Sequence, residues 1–370
     1  MISETLARGS QTIHTGKGTL RYFLNRKTDK VYYIICNKKM DTRLENTGRK
    51  RNSNAPGLSA NMQSAVKNQQ RRHITTHFNK VLVVGLGQLG LPLAKYIKER
   101  GYDAYGYDIN STAMQIAEKA SIKRAADFGE FDVYLICVST HSPRDIFSPD
   151  IDGLLSVIEK ISDEAKNGAL LSIESTIPKG TSKKVFEALN HRLHVVHAPH
   201  RWYAAEEKEH GINQLRVIGG VCECCLNAGM QFYGDAKAYR SSQIPNDNNI
   251  KSLGIPMHPV RDIEVAELTK VVENAHRYLQ IAFAEELYLY CRANNVNFLE
   301  LRDAVNTKWN VDILEPREGI GGHCLPKDTK MFLHSSKSIR SKIVSAAIEV
   351  DQDYRTYRHT KGQSETRHLI

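Results

Sequence analysis

The chain lacks any uninterrupted apolar run close to the roughly 18 residues that a membrane-spanning helix requires. Its first residues, MISETLARGSQTIH, also lack the apolar core of a secretory signal peptide. A chain of 370 residues with 41% hydrophobic and 25% charged residues is nevertheless too apolar to be disordered throughout. The sequence therefore predicts a cytoplasmic protein of two or more domains, without a membrane partner.

The cysteines lack the pairing that a disulfide framework needs. Seven cysteines, an odd number, are scattered over the chain, which is typical of reduced thiols. Cys222, Cys224 and Cys225 stand close together, and thiolates bind zinc. A structural zinc site usually has a fourth ligand and a second paired cluster, and the sequence places neither beside this trio. We therefore expect packing cysteines there and predict no metal.

Acidic residues are scarce in the first part of the chain. Residues 1–79 hold 15 of the 51 Lys and Arg but only 4 of the 41 Asp and Glu, a net charge of +11, whereas the remaining residues carry −1. This part is polar and poor in periodic apolar positions, so it is predicted to be a flexible basic extension. Two short β-type runs, residues 20–24 and 31–36, indicate a hairpin. The composition favours a solvated tail over contact with nucleic acid or a membrane surface.

A dinucleotide-binding pattern opens the body of the chain. Residues 80–84 predict a buried strand, residues 91–100 a helix, and between them lies Gly85-Leu86-Gly87-Gln88-Leu89-Gly90. The first two glycines allow a tight turn and close approach to a pyrophosphate, and the third allows the helix to pack on the strand. Asp108 ends the next strand, where a carboxylate binds a ribose 2′-hydroxyl and repels a 2′-phosphate. NAD is therefore favoured over NADP, and a turn without a ligand is the alternative.

Further apolar runs predict a parallel sheet covered by helices on both faces. They lie at residues 131–139, 169–173, 193–197 and 215–219. Ligands of open α/β sheets bind at the carboxyl ends of the strands, so the residues found there are candidates for a site. They are the polar turns Ser139-Thr140-His141 and residues 174–181, and the polar loop Ala198-Pro199-His200-Arg201-Trp202. The predicted fold class is α/β, with a Rossmann-type doubly wound sheet over residues 80–258.

Residues 262–292 predict one long helix, because they contain no Pro or Gly and are apolar around most of the circumference. At about 1.5 Å per residue the helix would span about 45 Å. We read it as the spine of a helical domain over residues 259–350 and as the interface of a homodimer. Lys270 and Asn274 share one face of it, although such a pair taken alone is more often solvated than catalytic. Residues 351–370 are predicted to form a polar tail.

A glycine-rich segment contains the candidate nucleophile. Its sequence is Gly319-Ile320-Gly321-Gly322-His323-Cys324-Leu325-Pro326-Lys327-Asp328. The glycines bring the backbone close to a bound molecule, and Pro326 suits the first turn of a helix over residues 327–333. Cys324 would stand at that helix start, where the dipole lowers the pKa of a thiol. Asp328 could hold a water or transfer a proton. An inert buried cysteine is the alternative.

Several motifs occur in an order known from one family. They are residues 85–90, Asp108, Val138-Ser139-Thr140, Glu174-Ser175-Thr176-Ile177-Pro178, Ala266-Glu267-Leu268-Thr269-Lys270, Glu273-Asn274, Gly321-Gly322-His323-Cys324 and Asp328. With these motifs the sequence resembles the UDP-glucose/GDP-mannose dehydrogenase family over roughly residues 80–350. Several independent motifs in the correct order are far more specific than a single glycine turn.

The resemblance implies an NAD-dependent, two-stage oxidation of the C6 alcohol of a UDP-sugar to the uronic acid. In this scheme Cys324 attacks the C6 aldehyde, and the resulting thiohemiacetal is oxidised to a thioester that water hydrolyses. Lys270 and Asn274 would stabilise the oxyanion at C6, and Asp328 would orient or activate water. The residues expected to contact the cofactor are Gly85, Gly87, Leu89, Gly90, Asp108, Val138, Thr140, Ser175 and Thr176. Those expected to contact the substrate are Arg201, Gly321 and Gly322.

Two departures from the family pattern affect these expectations. Family members carry a Pro-Glu pair where this chain has Pro199-His200, so His200 could serve as the base, or could simply be a hydrogen-bonded loop residue. Family members also continue into a third α/β domain that binds much of the nucleotide, whereas 42 residues follow Asp328 here. We expect that domain to be missing, or to be supplied by a partner.

Alternative functions and substrates stay open at the level of sequence. A 3-hydroxyacid or 6-phosphogluconate-type dehydrogenase combines a similar NAD domain with a helix bearing Lys and Asn four residues apart, but does not need Cys324. A non-catalytic, NAD-binding regulatory dimer is the third possibility. Within the family, Gly-Gly-His-Cys resembles UDP-N-acetylhexosamine dehydrogenases, whereas Cys-Leu-Pro-Lys-Asp-Thr resembles UDP-glucose enzymes.

Overall fold

A computed structural model describes residues 10–15, 18–25, 30–36, 78–142, 144–145, 148–201, 211–234, 251–335 and 341–367, in two units, 1–60 and 61–370. In the first unit, β1 (Ser10–Thr15), β2 (Gly18–Asn25) and β3 (Lys30–Cys36) form an antiparallel sheet in that order. β2 and β3 are the predicted hairpin, and β1 was not predicted. The rest of the predicted extension, up to residue 77, lies outside the described residues.

The second unit begins with alternating strands and helices, most of them where the sequence predicts them. In chain order they are β4 (Lys80–Val84), α1 (Gly90–Glu99), β5 (Asp103–Tyr107), α2 (Ser111–Lys119), β6 (Lys123–Arg124), β7 (Val133–Ile136), α3 (Asp152–Glu164), β8 (Leu170–Ile173), α4 (Thr181–Ala188), β9 (His194–His197), β10 (Arg216–Gly220), α5 (Glu223–Tyr233) and β11 (Met257–Val260). These strands form one eight-stranded, mostly parallel sheet. The unit is thus the α/β fold with a Rossmann-type sheet that the sequence predicts.

The strand order positions the site. The order is β6-β5-β4-β7-β8-β9-β10-β11. Successive strands are added on one side of β4 up to β6 and on its other side from β7 onward, and a ligand crevice opens at this switch point between the parallel strands β4 and β7. One expectation is wrong: β10 does not continue the parallel sheet but runs antiparallel to β9, with Gly219 opposite His197 and Gly220 opposite Val196. An antiparallel neighbour needs no crossover over the sheet. The end of β10 therefore lies at the edge opposite to the crevice.

Both faces of the sheet are buried, which explains the continuous apolar strands. Val81 and Val83 point to the face covered by α1, α2 and α5, whereas Leu82 and Val84 point to the face covered by α3 and α4. All four side chains are at most 1% exposed. Because alternate residues of a strand point to opposite faces, a strand buried on both faces has no polar side to show in its sequence.

Four helices follow the sheet: α6 (Ile263–Ala293), α7 (Phe298–Asn306), α8 (Cys324–Ser335) and α9 (Lys342–Arg367). α6 is the predicted long helix, and it packs against α9 through Tyr278, Ala282 and Ala347. α9 continues to Arg367, so the predicted polar tail is helical over most of its length. Lys, Gln, Glu and Arg are good helix formers, although they show no apolar period. No helix within the described ranges has the length and apolar character to cross a bilayer.

Candidate active site

The glycine turn after β4 has the predicted geometry. Gly85 has a φ of +89°, and a Cβ there would lie 2.7 Å from the carbonyl carbon of Cys137. A Cβ on Gly90 would lie 1.7 Å from the Gly85 oxygen, so α1 can approach the turn only with glycine at this position. A Cβ on Gly87 would meet nothing within 4 Å. Leu89, the N-cap residue of α1, provides no side-chain cap. Leu91 donates its N–H to the Gly87 oxygen at 3.3 Å and Pro92 has no N–H, so the Gly90 N–H is the group at this helix start that a phosphate could use.

Asp108 lies at the end of β5, beside the glycine turn. One carboxylate oxygen accepts the Leu86 N–H at 2.6 Å, and the other accepts the Asn110 N–H at 2.8 Å. Each oxygen retains a second acceptor position that a ribose hydroxyl could use. The open space at Gly87, the uncapped helix start and this carboxylate together fit the pyrophosphate and ribose of NAD.

The loops that follow β7 and β8 are tied to each other. Ser175 donates its hydroxyl to the Val138 oxygen at 2.6 Å and lies 3.2 Å from the Ile136 oxygen. Ser175 therefore positions the loops rather than presenting a free hydroxyl. Thr140 is 4% exposed and Thr176 is half-buried. Both lie at the crevice edge, where the sequence predicts contact with the cofactor.

Asp328 is the centre of a buried polar cluster on α8. It accepts hydrogen bonds from Asn274 Nδ2 and Lys327 Nζ, both at 2.5 Å. Lys327 Nζ also lies 3.4 Å from Thr140 Oγ1, so the cluster joins the NAD-binding sheet to α6 and α8. The Asp328 and Lys327 side chains are 2% and 6% exposed. Sequence reasoning missed Lys327, and the signal that could have found it is its position between Cys324 and Asp328 on one helical turn.

Cys324 is the first residue of α8, as predicted, and is exposed. The expected effect of the helix start on its thiol is wrong: partial burial and the nearby Asp328 carboxylate raise the thiol pKa above its ordinary value. Lys327 and Lys270 lie close enough to lower this pKa, but they do not outweigh the loss of water. His323 Nε2 lies 3.5 Å from the sulfur and is a candidate proton acceptor. The thiol and the Lys270 ammonium thus belong to one site.

His200 lies in a separate buried network. Its Nε2 is 2.6 Å from Glu174 Oε2, which also accepts from Arg216 Nη1 at 2.8 Å, and Tyr233 donates to the same carboxylate. Burial and the Arg216 charge lower the pKa of His200 to about 4, although Glu174 opposes this change. The imidazole is therefore neutral near pH 7. Among the described residues its Nδ1 has no partner. The geometry favours the hydrogen-bonded loop histidine over the general base.

The α6 helix is fixed to the NAD-binding region next to the candidate catalytic residues. Glu267 is fully buried and accepts the Gly180 N–H at 2.5 Å and the Ser182 N–H at 2.7 Å, at the start of α4. Arg201, a predicted substrate contact, donates from Nε to Glu273 at 3.3 Å and also pairs with it through Nη2. Lys270 lies between the two glutamates, so both contacts help to set its position.

The glycine segment before Cys324 is held by α9. Gly319 has a φ of +99°, and Ile320 donates its N–H to Asp351 at 3.0 Å and accepts from Arg355. Gly321 and Gly322 are exposed and have no atoms near their missing Cβ positions, which leaves room for a ligand. Glu285 of α6 is buried near Asp351, and burial together with the Asp351 charge raises its pKa to about 8.

Two models of one family match the chain. The NAD-binding domain of the UDP-glucose/GDP-mannose dehydrogenase family matches residues 117–237, and the central domain of the same family matches residues 264–353. The first match lies in the Rossmann-type sheet and its helices. The second contains α6, α7 and α8 and therefore all of the candidate catalytic residues except His200.

Individual relatives are similar over most of the chain. The UDP-N-acetyl-D-mannosamine dehydrogenase of Methanococcus maripaludis is 28% identical over 309 residues, which cover 77% of this chain and 68% of the relative. The enzyme of the same name from Pyrococcus horikoshii is 30% identical over 289 residues, covering 70% and 65%. A solved structure of a UDP-D-ManNAc dehydrogenase from Pyrococcus horikoshii superposes with a TM-score of 0.65 at 27% identity, covering 79% of this chain and 72% of that one.

Proposed function

Because this chain belongs to the UDP-glucose/GDP-mannose dehydrogenase family and is an NAD-dependent oxidoreductase, we propose that it oxidises the C6 alcohol of a UDP-N-acetylhexosamine to the carboxylate. The observation that carries the proposal is the cluster of Cys324, Asn274 and Asp328, joined through Lys327 to Thr140 at the end of β7. The names of the relatives favour UDP-N-acetyl-D-mannosamine as the substrate.

The first stage converts the alcohol to an aldehyde. NAD, when bound, accepts one hydride in each of the two oxidation stages. The glycine turn and Asp108 would hold the dinucleotide, and the loop after β7 contacts α8, where Thr140 Oγ1 lies 3.4 Å from Lys327 Nζ. The alcohol passes its proton to a water of the site, and negative charge develops on the C6 oxygen as it does so. The Lys270 ammonium and the Asn274 amide stabilise this charge.

Asn274 can serve two partners because its amide nitrogen carries two hydrogens. One is donated to Asp328, and this bond fixes the plane of the amide. The second hydrogen remains for the C6 oxygen. The Asp328 bond therefore prevents the amide from presenting its oxygen to the substrate at that position, where an acceptor would repel the developing charge.

The second stage is covalent. The Cys324 sulfur adds to the aldehyde carbon, the carbonyl electron pair moves to oxygen, and the thiol proton passes to a base such as the nearby His323 imidazole. The adduct is the alkoxide of the thiohemiacetal, and Lys270 and Asn274 stabilise its charge. Loss of a hydride from C6 converts this alkoxide into a thioester, and no further proton leaves. Water then attacks the thioester, Asp328 accepts its proton, and the carboxylate product leaves with the thiol restored.

The direct experiment is incubation of the purified full chain with NAD and UDP-N-acetyl-D-mannosamine, UDP-glucose or GDP-mannose, while NADH is followed by absorbance. The proposal predicts two NADH per UDP-N-acetyl-D-mannosamine, and a loss of acid formation by several orders of magnitude in Cys324→Ala. Cys291→Ala is the matched control, because residue 291 lies about 30 Å further along α6 than Lys270. It should retain activity.

Each other outcome favours a specific alternative. One NADH per substrate with indifference to Cys324→Ala would point to a hydroxyacid-type reaction. NAD binding without reduction by any sugar would support a regulatory role. A rate that appears only after a second protein is added would support a partner that supplies nucleotide-binding surface.

A further inference from the structure

Three cysteines and one histidine meet at the edge of the sheet opposite to the crevice. Cys222 is the N-cap residue of α5, Cys224 and Cys225 lie in its first turn, and His194 is the first residue of β9. They approach because β10 runs antiparallel to β9, which brings the chain after Gly220 back to the start of β9. The hydrogen bond from Val221 N to Val195 O, at 3.2 Å, fixes this approach.

Three of the four ligand atoms lie at distances that suit one metal ion, and the fourth lies beside one of them. One nitrogen of His194 and the sulfurs of Cys224 and Cys225 all lie within 4.8 Å of one another. The Cys222 sulfur is 3.3 Å from the Cys225 sulfur. Tetrahedral zinc with bonds of about 2.3 Å to sulfur needs sulfurs about 3.8 Å apart. Cys222 lies outside the set that meets the 4.8 Å limit, so rotation of the Cys222 side chain and shifts of up to about an ångström in the other ligands are needed to produce that geometry.

The surroundings of the sulfurs resemble those of bound thiolates. The Cys225 N–H points to the Cys222 sulfur at 3.4 Å, and the Val195 N–H points to the Cys225 sulfur at 3.3 Å. Backbone N–H groups that point at sulfur stabilise its negative charge and orient it toward a metal. Cys225 and His194 are buried at 1% and 5% exposure, whereas Cys222 and Cys224 are half-buried. An ion could therefore enter from one side and then be enclosed.

We propose that His194, Cys222, Cys224 and Cys225 bind one thiolate-preferring divalent cation of the Zn²⁺ class. Four protein ligands fill a tetrahedral shell and leave no position for substrate, which is the pattern of a structural site. The site lies at the amino end of β9, whereas the candidate catalytic residues lie beyond its carboxyl end. The ion therefore fastens α5 and β10 to β9 and takes no part in the oxidation. His194 is the fourth ligand that the sequence did not place beside the three cysteines.

Metal analysis of the full chain tests this site. Protein purified under reducing conditions and dialysed against a weak chelator should contain about one zinc per chain. The double variant Cys224→Ser with Cys225→Ser should lose that zinc. Cys324→Ala is the matched control, because it removes the exposed thiol of the proposed active site and should retain the zinc. Cobalt(II) added to the metal-free protein should give the intense visible bands of tetrahedral cobalt and a thiolate charge-transfer band.

The cobalt titration uses the unaltered chain, so the test does not depend on the folding of a variant. Zinc far below one per chain, together with a cobalt spectrum typical of six oxygen ligands, would overturn the proposal. Loss of zinc in Cys324→Ala, with zinc retained in the double variant, would assign the metal to Cys324. Protein isolated with a disulfide between Cys222 and Cys225 that still binds no zinc after the disulfide is reduced would also overturn the proposal.

Discussion

Replacing Lys327 with methionine should destabilise the protein strongly, because it would leave the Asp328 carboxylate buried without its cation. The two charged atoms are 2.5 Å apart, and the side chains are 6% and 2% exposed. Removing one partner of a buried ion pair typically costs about 3–5 kcal/mol. Asn274 would still donate to Asp328, and a hydrogen bond to a charged group contributes about 1.5–3 kcal/mol. We therefore expect a loss near the lower end, about 3 kcal/mol.

Urea unfolding of the single and double variants measures this energy. Adding Asp328→Asn to Lys327→Met should recover about half of the loss, because the remaining side chain is neutral and can still accept from Asn274. Lys183→Met is the control: Lys183 pairs with Glu264 at 2.8 Å, but its side chain is 45% exposed, so the cost should stay below about 1 kcal/mol. A Lys327→Met cost no larger than that of the control, or no recovery in the double variant, would refute the buried pair.

Three further predictions concern titration and assembly. Alkylation of Cys324 by iodoacetamide should rise with pH through a midpoint above that of an ordinary thiol, since burial and Asp328 raise its pKa; a midpoint below neutral pH would contradict this. Glu285 faces Asp351, Arg355 and Tyr278. Because the pKa of Glu285 in the folded state is raised to about 8, its contribution to the free energy of unfolding is complete below about pH 4.5 and is lost as the pH rises towards 8. Glu285→Gln should therefore remove a fall in unfolding free energy of about 2–3 kcal/mol between pH 6 and pH 9, and an unchanged pH profile would contradict the shift. The predicted homodimer through α6 should appear as twice the chain mass in light scattering, and a monomer at all concentrations would contradict it.

Local patterns in the sequence correctly predicted the glycine turn after the first strand of the sheet and the position of Cys324 at a helix start. Gly85, Gly90 and Asp108 belong to one strand-helix-strand unit, whose backbone geometry requires the glycines and places the carboxylate beside the turn at a fixed spacing in sequence. Cys324 lies at a helix start because Pro326 suits the first turn of that helix. These features depend on neighbours in sequence, so sequence spacing is enough to find them.

Features that depend on distant segments could not be predicted in the same way. The pairing of Lys327 with Asp328 is local, but its burial depends on Thr140 and Asn274, which belong to other elements. The antiparallel direction of β10 brings Cys225 to His194. The hydrophobic periodicity of the sequence does not indicate that contact. The direction of the Cys324 pKa shift likewise depends on how much water the surrounding segments exclude.

The central claim is that Cys324 forms a thioester with the oxidised sugar. The most direct test is mass spectrometry of Asp328→Asn after mixing with NAD and UDP-N-acetyl-D-mannosamine, because this variant should form the acyl-enzyme and hydrolyse it about 10²–10⁴ times more slowly. The account predicts an adduct of the oxidised sugar nucleotide on the peptide that contains Cys324. Formation of the acid with no adduct in this variant, and at an unchanged rate in Cys324→Ala, would contradict it.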